Sequence, residues 1–260
     1  MIDRATDTIN IETLPEEPGI TLDRIQFSFA THELFSGLSF ELPQGESSAI
    51  TGPSGSGKST FLLIAAGLVS AEHGTVLLGG HPLKRLTPSE RVRRGLRIGF
   101  VFQDGGLFSN MSTYSNVSLP LFYHKDVLSL DEDGITRRTE EVLELTQIEK
   151  RHWNTLPAHL SFGDRKRLAL ARALSIRPNY FFFDDPDIGM DQKTAGVTHT
   201  VLSQLRDNPQ VTLLVATSRH KLLDRLGIEG YLIERGQLSP ALGGSSRPSE
   251  WSLPPSMFIP

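Results

Sequence analysis

Residues 50–60 read ITGPSGSGKST, and Gly52 to Ser59 fit the pattern G-x-x-x-x-G-K-S without exception. Upstream, ESSAIT (46–51) leads in as an apolar strand, and STFLLIAAGL (59–68) follows with the length and character of a buried helix. A Gly-Ser turn of no function is the bland alternative. Strand, glycine loop and helix in that order argue against it, because this is the context in which such a loop becomes a site. Gly55 and Gly57 permit the backbone angles that aim successive N–H groups inward as an anion nest, and the helix starting near Lys58 adds its positive end. Lys58 is expected to reach the β and γ phosphates of a nucleotide and Ser59 to ligate magnesium, with Gly52, Ser54, Ser56 and Thr60 completing the loop.

The composition bounds what such a site serves. The chain has 260 residues, 26 basic against 30 acidic, a formal net charge of -4 and no cysteine. There is no overall positive field of the kind that sequence-independent nucleic-acid binding needs, so nucleic acid is not an expected partner. The lack of cysteine excludes disulfides and thiolate metal sites, in agreement with a reducing compartment. The N-terminus MIDRATDTINIETLPEEPG has neither the basic start nor the apolar run of an export signal. The longest apolar runs, FLLIAAGLV (61–69) and YFFF (180–183), fall short of the roughly 18 to 20 residues of a membrane helix. Contact with a membrane is therefore expected through a partner.

Along the chain, DRIQFSFATHELFSGLSFEL (23–42) alternates apolar and polar residues around turn signals at Ala30 to Glu33 and Ser36-Gly37, which predicts antiparallel strands. LRIGFVFQ (96–103) is an apolar strand ending at Gln103. From about 104 to 165 the periodicity turns helical, as in TRRTEEVLELTQI, and predicts an inserted helical subdomain. RKRLALARALSI as a helix, NYFFFDD as a strand, a helix near 192–206 and the strand VTLLVATS (211–218) restore an α/β pattern, with sites at the C-terminal ends of the strands. The expected division is an N-terminal extension (1–20), a nucleotide-binding domain (21–240) and a Pro- and Ser-rich tail (241–260).

LSFGDRKRLALARAL (160–174), followed by YFFFDDPDIGMD (180–191), resembles the ATP-binding subunits of ABC transporters over about residues 20 to 240. The resemblance implies a P-loop NTPase fold with a RecA-like core, an antiparallel β subdomain and the helical insert. It also implies ATP and Mg2+ as cofactors and a dimer with two ATPs sandwiched between the copies. By the same resemblance Gln103 is the Q-loop glutamine, linking magnesium and nucleotide to a membrane subunit. Asp184 is the Walker B carboxylate that holds magnesium, Asp191 is the D-loop aspartate, and Ser161 and Gly163 approach the γ phosphate on the opposite subunit. Phe29 maps to the aromatic that stacks on adenine. A second reading of Phe29 stands, since Ile25, Phe27 and Phe29 alternate and would share one face of a strand as core.

Within the family, FQDGGLFSNMSTYSNVSLPL (102–121) and FDDPDIGMDQKTAGV (183–197) look most like the ATPases of the Mla and Mce lipid-trafficking systems. That likeness implies a multi-span membrane permease, an MCE-domain protein and a small regulatory subunit as partners. It places the chain peripherally at the cytoplasmic face of the bacterial inner membrane, and it suggests that the tail wraps the neighbouring ATPase instead of remaining disordered.

Three departures bear on hydrolysis. Asp185 stands where the family has the glutamate that polarises water, one methylene or about 1 Å further back, and a misplacement of that size can cost about a hundredfold in rate. Ser218 replaces the switch histidine; His220 lies two residues on and either reaches back or is a surface residue of a helix's first turn. In the signature, Phe162 replaces a glycine and Asp164 brings a carboxylate near an anion, although Ser161 and Asp164 also have the S-x-x-D spacing of a helix cap. ATP binding is expected to be secure and hydrolysis slow. Binding without turnover, an ABC ATPase of another substrate class and an ABC ATPase serving no transporter remain as alternatives.

Overall fold

The structure is a computed structural model that describes residues 18–29, 32–186, 189–190 and 192–241. Its elements in chain order are β1 (Ile20–Phe29), β2 (His32–Leu42), β3 (Ser47–Thr51), α1 (Lys58–Ala65), β4 (His73–Leu78), β5 (His81–Pro82), α2 (Pro88–Arg93), β6 (Ile98–Val101), α3 (Thr113–Leu128), α4 (Glu132–Leu145), α5 (Phe162–Leu174), β7 (Tyr180–Asp184), α6 (Gln192–Arg206), β8 (Thr212–Ala216), α7 (His220–Leu226), β9 (Glu229–Glu234) and β10 (Gln237–Pro240).

Two sheets form. A four-stranded antiparallel sheet runs β2-β1-β4-β5, and a six-stranded sheet runs β10-β9-β3-β8-β7-β6. In the larger sheet β3, β8, β7, β6 and β9 are parallel, and β10 joins β9 antiparallel at the edge. Every residue of YFFFD in β7 and TLLVA in β8 is buried, as unbroken apolar runs in the middle of a parallel sheet must be when both faces are covered.

Side chains alternate across that sheet and divide the core in two. Phe181, Phe183, Leu213 and Val215 pack with α5, α6 and α7, joined by Val117 of α3 and Val142 and Leu143 of α4. Phe182, Leu214 and Ala216 turn the other way, onto Phe61, Leu62 and Ile64 of α1 and the apolar face of the four-stranded sheet. Each fully buried phenylalanine of β7 contributes about 1.5–3 kcal/mol of transfer free energy.

The parallel register brings the C-terminal ends of the central strands to one edge. Ile50 pairs with Ala216, Asp184 with Ala216, and Val101 with Phe183. The loop after β3, the acidic end of β7, Gln103 beyond β6 and Ser218 beyond β8 all emerge there, the place where ligands bind in open α/β sheets.

Three sequence expectations need correction. The Ser36-Gly37 turn signal does not end a strand: β2 runs through it, and Gly37, at φ 76°, takes up a bulge where the register jumps between Ile25↔Leu38 and Gln26↔Ser36. Burial also fades along Ile25, Phe27 and Phe29 toward the end of β1. Ile25 is fully buried, Phe27 half-buried and Phe29 56% exposed, so Phe29 is not core. Finally, the segment from 104 to 165 is helical only in part, since Asp104 to Ser112 form a loop before α3. Most of the N-terminal extension and nearly all of the C-terminal tail lie outside the described residues.

A candidate nucleotide site at the strand ends

The glycine loop closes tightly between β3 and α1. Gly57 sits at φ 101° just before α1, and a Cβ there would lie 3.0 Å from the Phe35 ring, so both conformation and space demand glycine. Gly52 and Gly55 also have positive φ, at 147° and 79°. Having no side chain, Gly57 offers the first N–H groups of α1 no side-chain cap, and the first turn carries no acid, so this helix end stays open to an anion. Lys58 is 6% exposed, and its ammonium donates to the carbonyl oxygens of Gly52 (3.0 Å) and Pro53 (2.8 Å), which pins it over the loop. Ser56 Oγ is buried without a partner among the described residues, the condition of a group shaped for a ligand. Ser54 and Thr60 flank this loop, Ser54 exposed and Thr60 half-buried.

Across the loop, Ser59 donates from Oγ to Asp184 Oδ1 at 3.1 Å. Burial pushes the Asp184 carboxyl above the ordinary carboxylate range. Asp185 adds to the rise, while the Ser59 hydroxyl, Lys58 and Lys166 oppose it. Among the described residues no group of three His, Cys, Asp or Glu side chains is placed to hold a metal. Magnesium does not require one. It binds through one or two protein oxygens and completes its shell with water and substrate phosphates, so Ser59 and Asp184 beside the cradle fit it.

Asp185 is 8% exposed, donates its N–H to Ala216 O at 2.9 Å and has φ 46°. Aspartate is among the few residues that enter this region readily. Ser218 is exposed two residues beyond β8, and the preceding Thr217 donates its N–H to Ile50 O at 3.0 Å, which holds that turn against the entry to the glycine loop. His220 opens α7, but its side chain lies outside the described residues, as does Asp191 altogether.

The N-terminus of α5 has a different arrangement. Ser161 accepts from Asp164 N at 3.0 Å and donates from Oγ to Asp164 Oδ2 at 2.7 Å, so the capping pair forms. The Arg167 guanidinium pairs with Asp164, the two side chains being 7% and 18% exposed. Burial acts to raise the Asp164 carboxyl, but the Ser161 hydroxyl and Arg167 outweigh it, and the group lies below the ordinary carboxylate range. Gly163 is buried, and the Phe162 ring covers Gly189, where a Cβ would come within 2.7 Å of it.

Residues 35–187, a stretch holding the glycine loop, the α5 cap and the Asp184-Asp185 pair in this order, match the family described as ABC transporter. The chain belongs to the ABC transporter family. A probable amino-acid ABC transporter ATP-binding protein of Sinorhizobium fredii is 31% identical over 228 residues, 84% of this chain and 87% of that protein. A sulfate/thiosulfate import ATP-binding protein of Methylococcus capsulatus is 36% identical over 201 residues, 76% of this chain and 55% of its own length. Against the sulfate relatives from Methylococcus and Xylella fastidiosa, this chain thus spans only 55% and 60% of their length. Among solved structures, the dimeric ABC transporter cassette MJ0796 superposes with a TM-score of 0.76 at 28% identity, covering 84% of this chain and 96% of that one. The same cassette is also known as a dimer in a post-hydrolysis state bound to ADP and Pi.

As an ABC cassette the chain is an ATPase that uses ATP and Mg2+. The P-loop fold with its RecA-like core, antiparallel β subdomain and helical insert is the one the sequence implied. No helix of the described residues is long and apolar enough to cross a membrane.

Sequence reasoning missed the cations of α5. Lys166 is 2% exposed and donates to the carbonyl oxygen of Gln103, and Arg172 donates to those of Gly106 (2.7 Å) and Gly105 (3.1 Å). One signal was present: Lys166 falls on the i, i+3, i+4, i+7 face with Ala169, Leu170 and Ala173, the buried stripe of its helix.

Proposed function

We propose that this chain is the ATP-hydrolysing subunit of an ABC transporter with slowed turnover, paired with a second copy of itself against a multi-span permease at the cytoplasmic face of the bacterial inner membrane. The observation that carries the reading is the Ser59–Asp184 contact of 3.1 Å beside an uncapped helix end and a pinned lysine. It supports binding of a magnesium-charged triphosphate. Bound ATP supplies the phosphoanhydride to be split, and Mg2+ neutralises its developing charge. Lys58 and the loop N–H groups hold the phosphates, Gln103 and Ser59 with Asp184 orient the metal side, and Asp185 takes the water proton. Ser218 replaces the imidazole at the γ phosphate, with His220 as an alternative donor. Phe29, exposed beside Phe27 with ring centroids 5.0 Å apart, offers a face to the base.

Slow turnover is supported by the shorter Asp185 and by Ser161, whose hydroxyl already donates to Asp164. In an ATP sandwich each site draws Walker groups from one chain and signature groups from the other, with Gly163 and Asp191 at the junction. Both contributions are altered here, so no pairing restores a standard site.

The cargo we infer is lipid, delivered with an MCE-domain protein and a small regulatory subunit. The likeness of residues 102–121 and 183–197 to Mla and Mce ATPases supports it. The exposed rings of Phe108, Phe122 and Tyr123 beyond Gln103 suit an apolar membrane partner, whichever the cargo. A second reading, uptake of an amino acid or of sulfate, is favoured by the names of the relatives. Purification of the chain from detergent extracts with its permease tests both. The proposal expects a complex that carries phospholipid and a Mg2+-dependent ATPase lost in Lys58→Ala. A complex whose ATPase responds to an amino acid or to sulfate, and not to lipid, would move the cargo to the second reading. No ATPase above the Lys58→Ala control would leave a nucleotide-binding assembly subunit.

A further inference from the structure

Lys166 is a charged side chain where its helix presents an apolar stripe. Its Nζ donates to the Gln103 carbonyl oxygen, at the start of the loop that leaves β6. Arg172 holds the next part of that loop through the Gly105 and Gly106 carbonyls, so two cations of α5 clamp it. The Phe162 ring lies 5.7 Å from the Lys166 ammonium and closes it from one side. A buried ammonium is strongly disfavoured unless paired. Burial lowers its affinity for a proton, and the carboxylates that act against this are Asp104, Asp184 and Asp185, all at the nucleotide edge of the sheet.

We propose that Lys166 is a positioning residue, whose buried charge holds the Gln103 loop against the Asp184-Asp185 pair and offsets the negative charge that faces the phosphates. The helix that carries Ser161 at its start therefore also sets the electrostatics of the nucleotide bound to its own chain. This rests on the nucleotide-site reading above, and the test separates the two.

The measurement is calorimetric affinity for ATP with Mg2+ and with EDTA. Without Lys166 the acidic pocket repels metal-free ATP but tolerates ATP whose charge a divalent ion has reduced. Lys166→Met and Lys166→Gln are expected to weaken metal-free binding about tenfold while changing Mg-ATP binding by less than about threefold, and Lys166→Arg to keep the wild-type ratio. Glutamine retains a donor for the Gln103 carbonyl, so its failure to rescue assigns the effect to charge. An unchanged ratio in Met and Gln variants that melt as the wild type does would overturn the proposal. Should both variants fail to fold, recovery of the fold by Lys166→Arg assigns the requirement to the buried charge that holds the Gln103 loop, and failure of Lys166→Arg to recover it overturns the proposal. Absence of Mg-ATP binding by the wild type would instead sink the nucleotide reading itself.

Discussion

Ser161 donates its hydroxyl hydrogen to Asp164 Oδ2 at 2.7 Å, and Arg167 closes the other side of the same carboxylate. The signature serine thus has its donor engaged within its own helix cap. Because the folded-state Asp164 carboxyl is depressed, its contribution to stability is complete above the ordinary value of 3.8 and is lost as pH falls below that through the folded value. Asp164→Asn is expected to destabilise the protein by about 1.5–3 kcal/mol at neutral pH. Thermal melts from pH 7 down to about pH 3 check this, and the gap between the wild-type and variant curves should narrow as pH falls below 3.8.

Asp185 occupies φ 46° with its N–H fixed to Ala216 O, so its carboxylate position is set by the backbone of β8. Lengthening the side chain moves the carboxylate forward by about 1 Å, and combining Asp185→Glu with Ser218→His is expected to raise steady-state turnover by up to about a hundredfold over the wild type. The same change should lower stability by about 1 kcal/mol, since glutamate enters the left-handed region less readily. Phosphate release from Mg-ATP, set against Lys58→Ala, measures the first effect and chemical denaturation the second.

Phe29 is 56% exposed and touches Phe27 edge-on. Phe29→Ala is therefore expected to leave the melting temperature nearly unchanged while weakening ATP binding by about 1–3 kcal/mol, and Phe29→Trp to retain it. A fluorescent nucleotide titration of the three proteins provides the comparison.

What the sequence made legible were the features written in contiguous residues. The glycine loop with its flanking strand and helix was one, and YFFFD, a run too apolar for anything but a central strand, was another. The elements left unread were β4, β5, α2, β9 and β10. In β9, EGYLIE is only partly buried and so carries no clean alternation, while β5 is two residues long. For Phe29 the core alternative fails because the residue is the last of β1, where burial has faded to 56% exposure, a position that composition does not reveal. Lys166 escaped notice because a charged residue flanked by Arg165 and Arg167 reads as a solvated face. Only the helical period, which sets it among Ala169, Leu170 and Ala173, shows that it faces inward. At the site, the residue types were legible, and so was the local Ser161–Asp164 cap from its S-x-x-D spacing. The Ser59–Asp184 contact was not, because it joins residues far apart in the chain and follows from packing β7 against the loop.

The central claim is that the loop from Gly52 to Thr60, with Lys58 and the Ser59–Asp184 pair, holds a magnesium-charged nucleotide. Isothermal titration of the folded protein with ATP and Mg2+ tests it most directly. The account predicts saturable heat at one site per chain, weakened at least about tenfold in Lys58→Ala. A wild-type protein that melts cooperatively yet gives no saturable heat, or binds no better than Lys58→Ala, would contradict it.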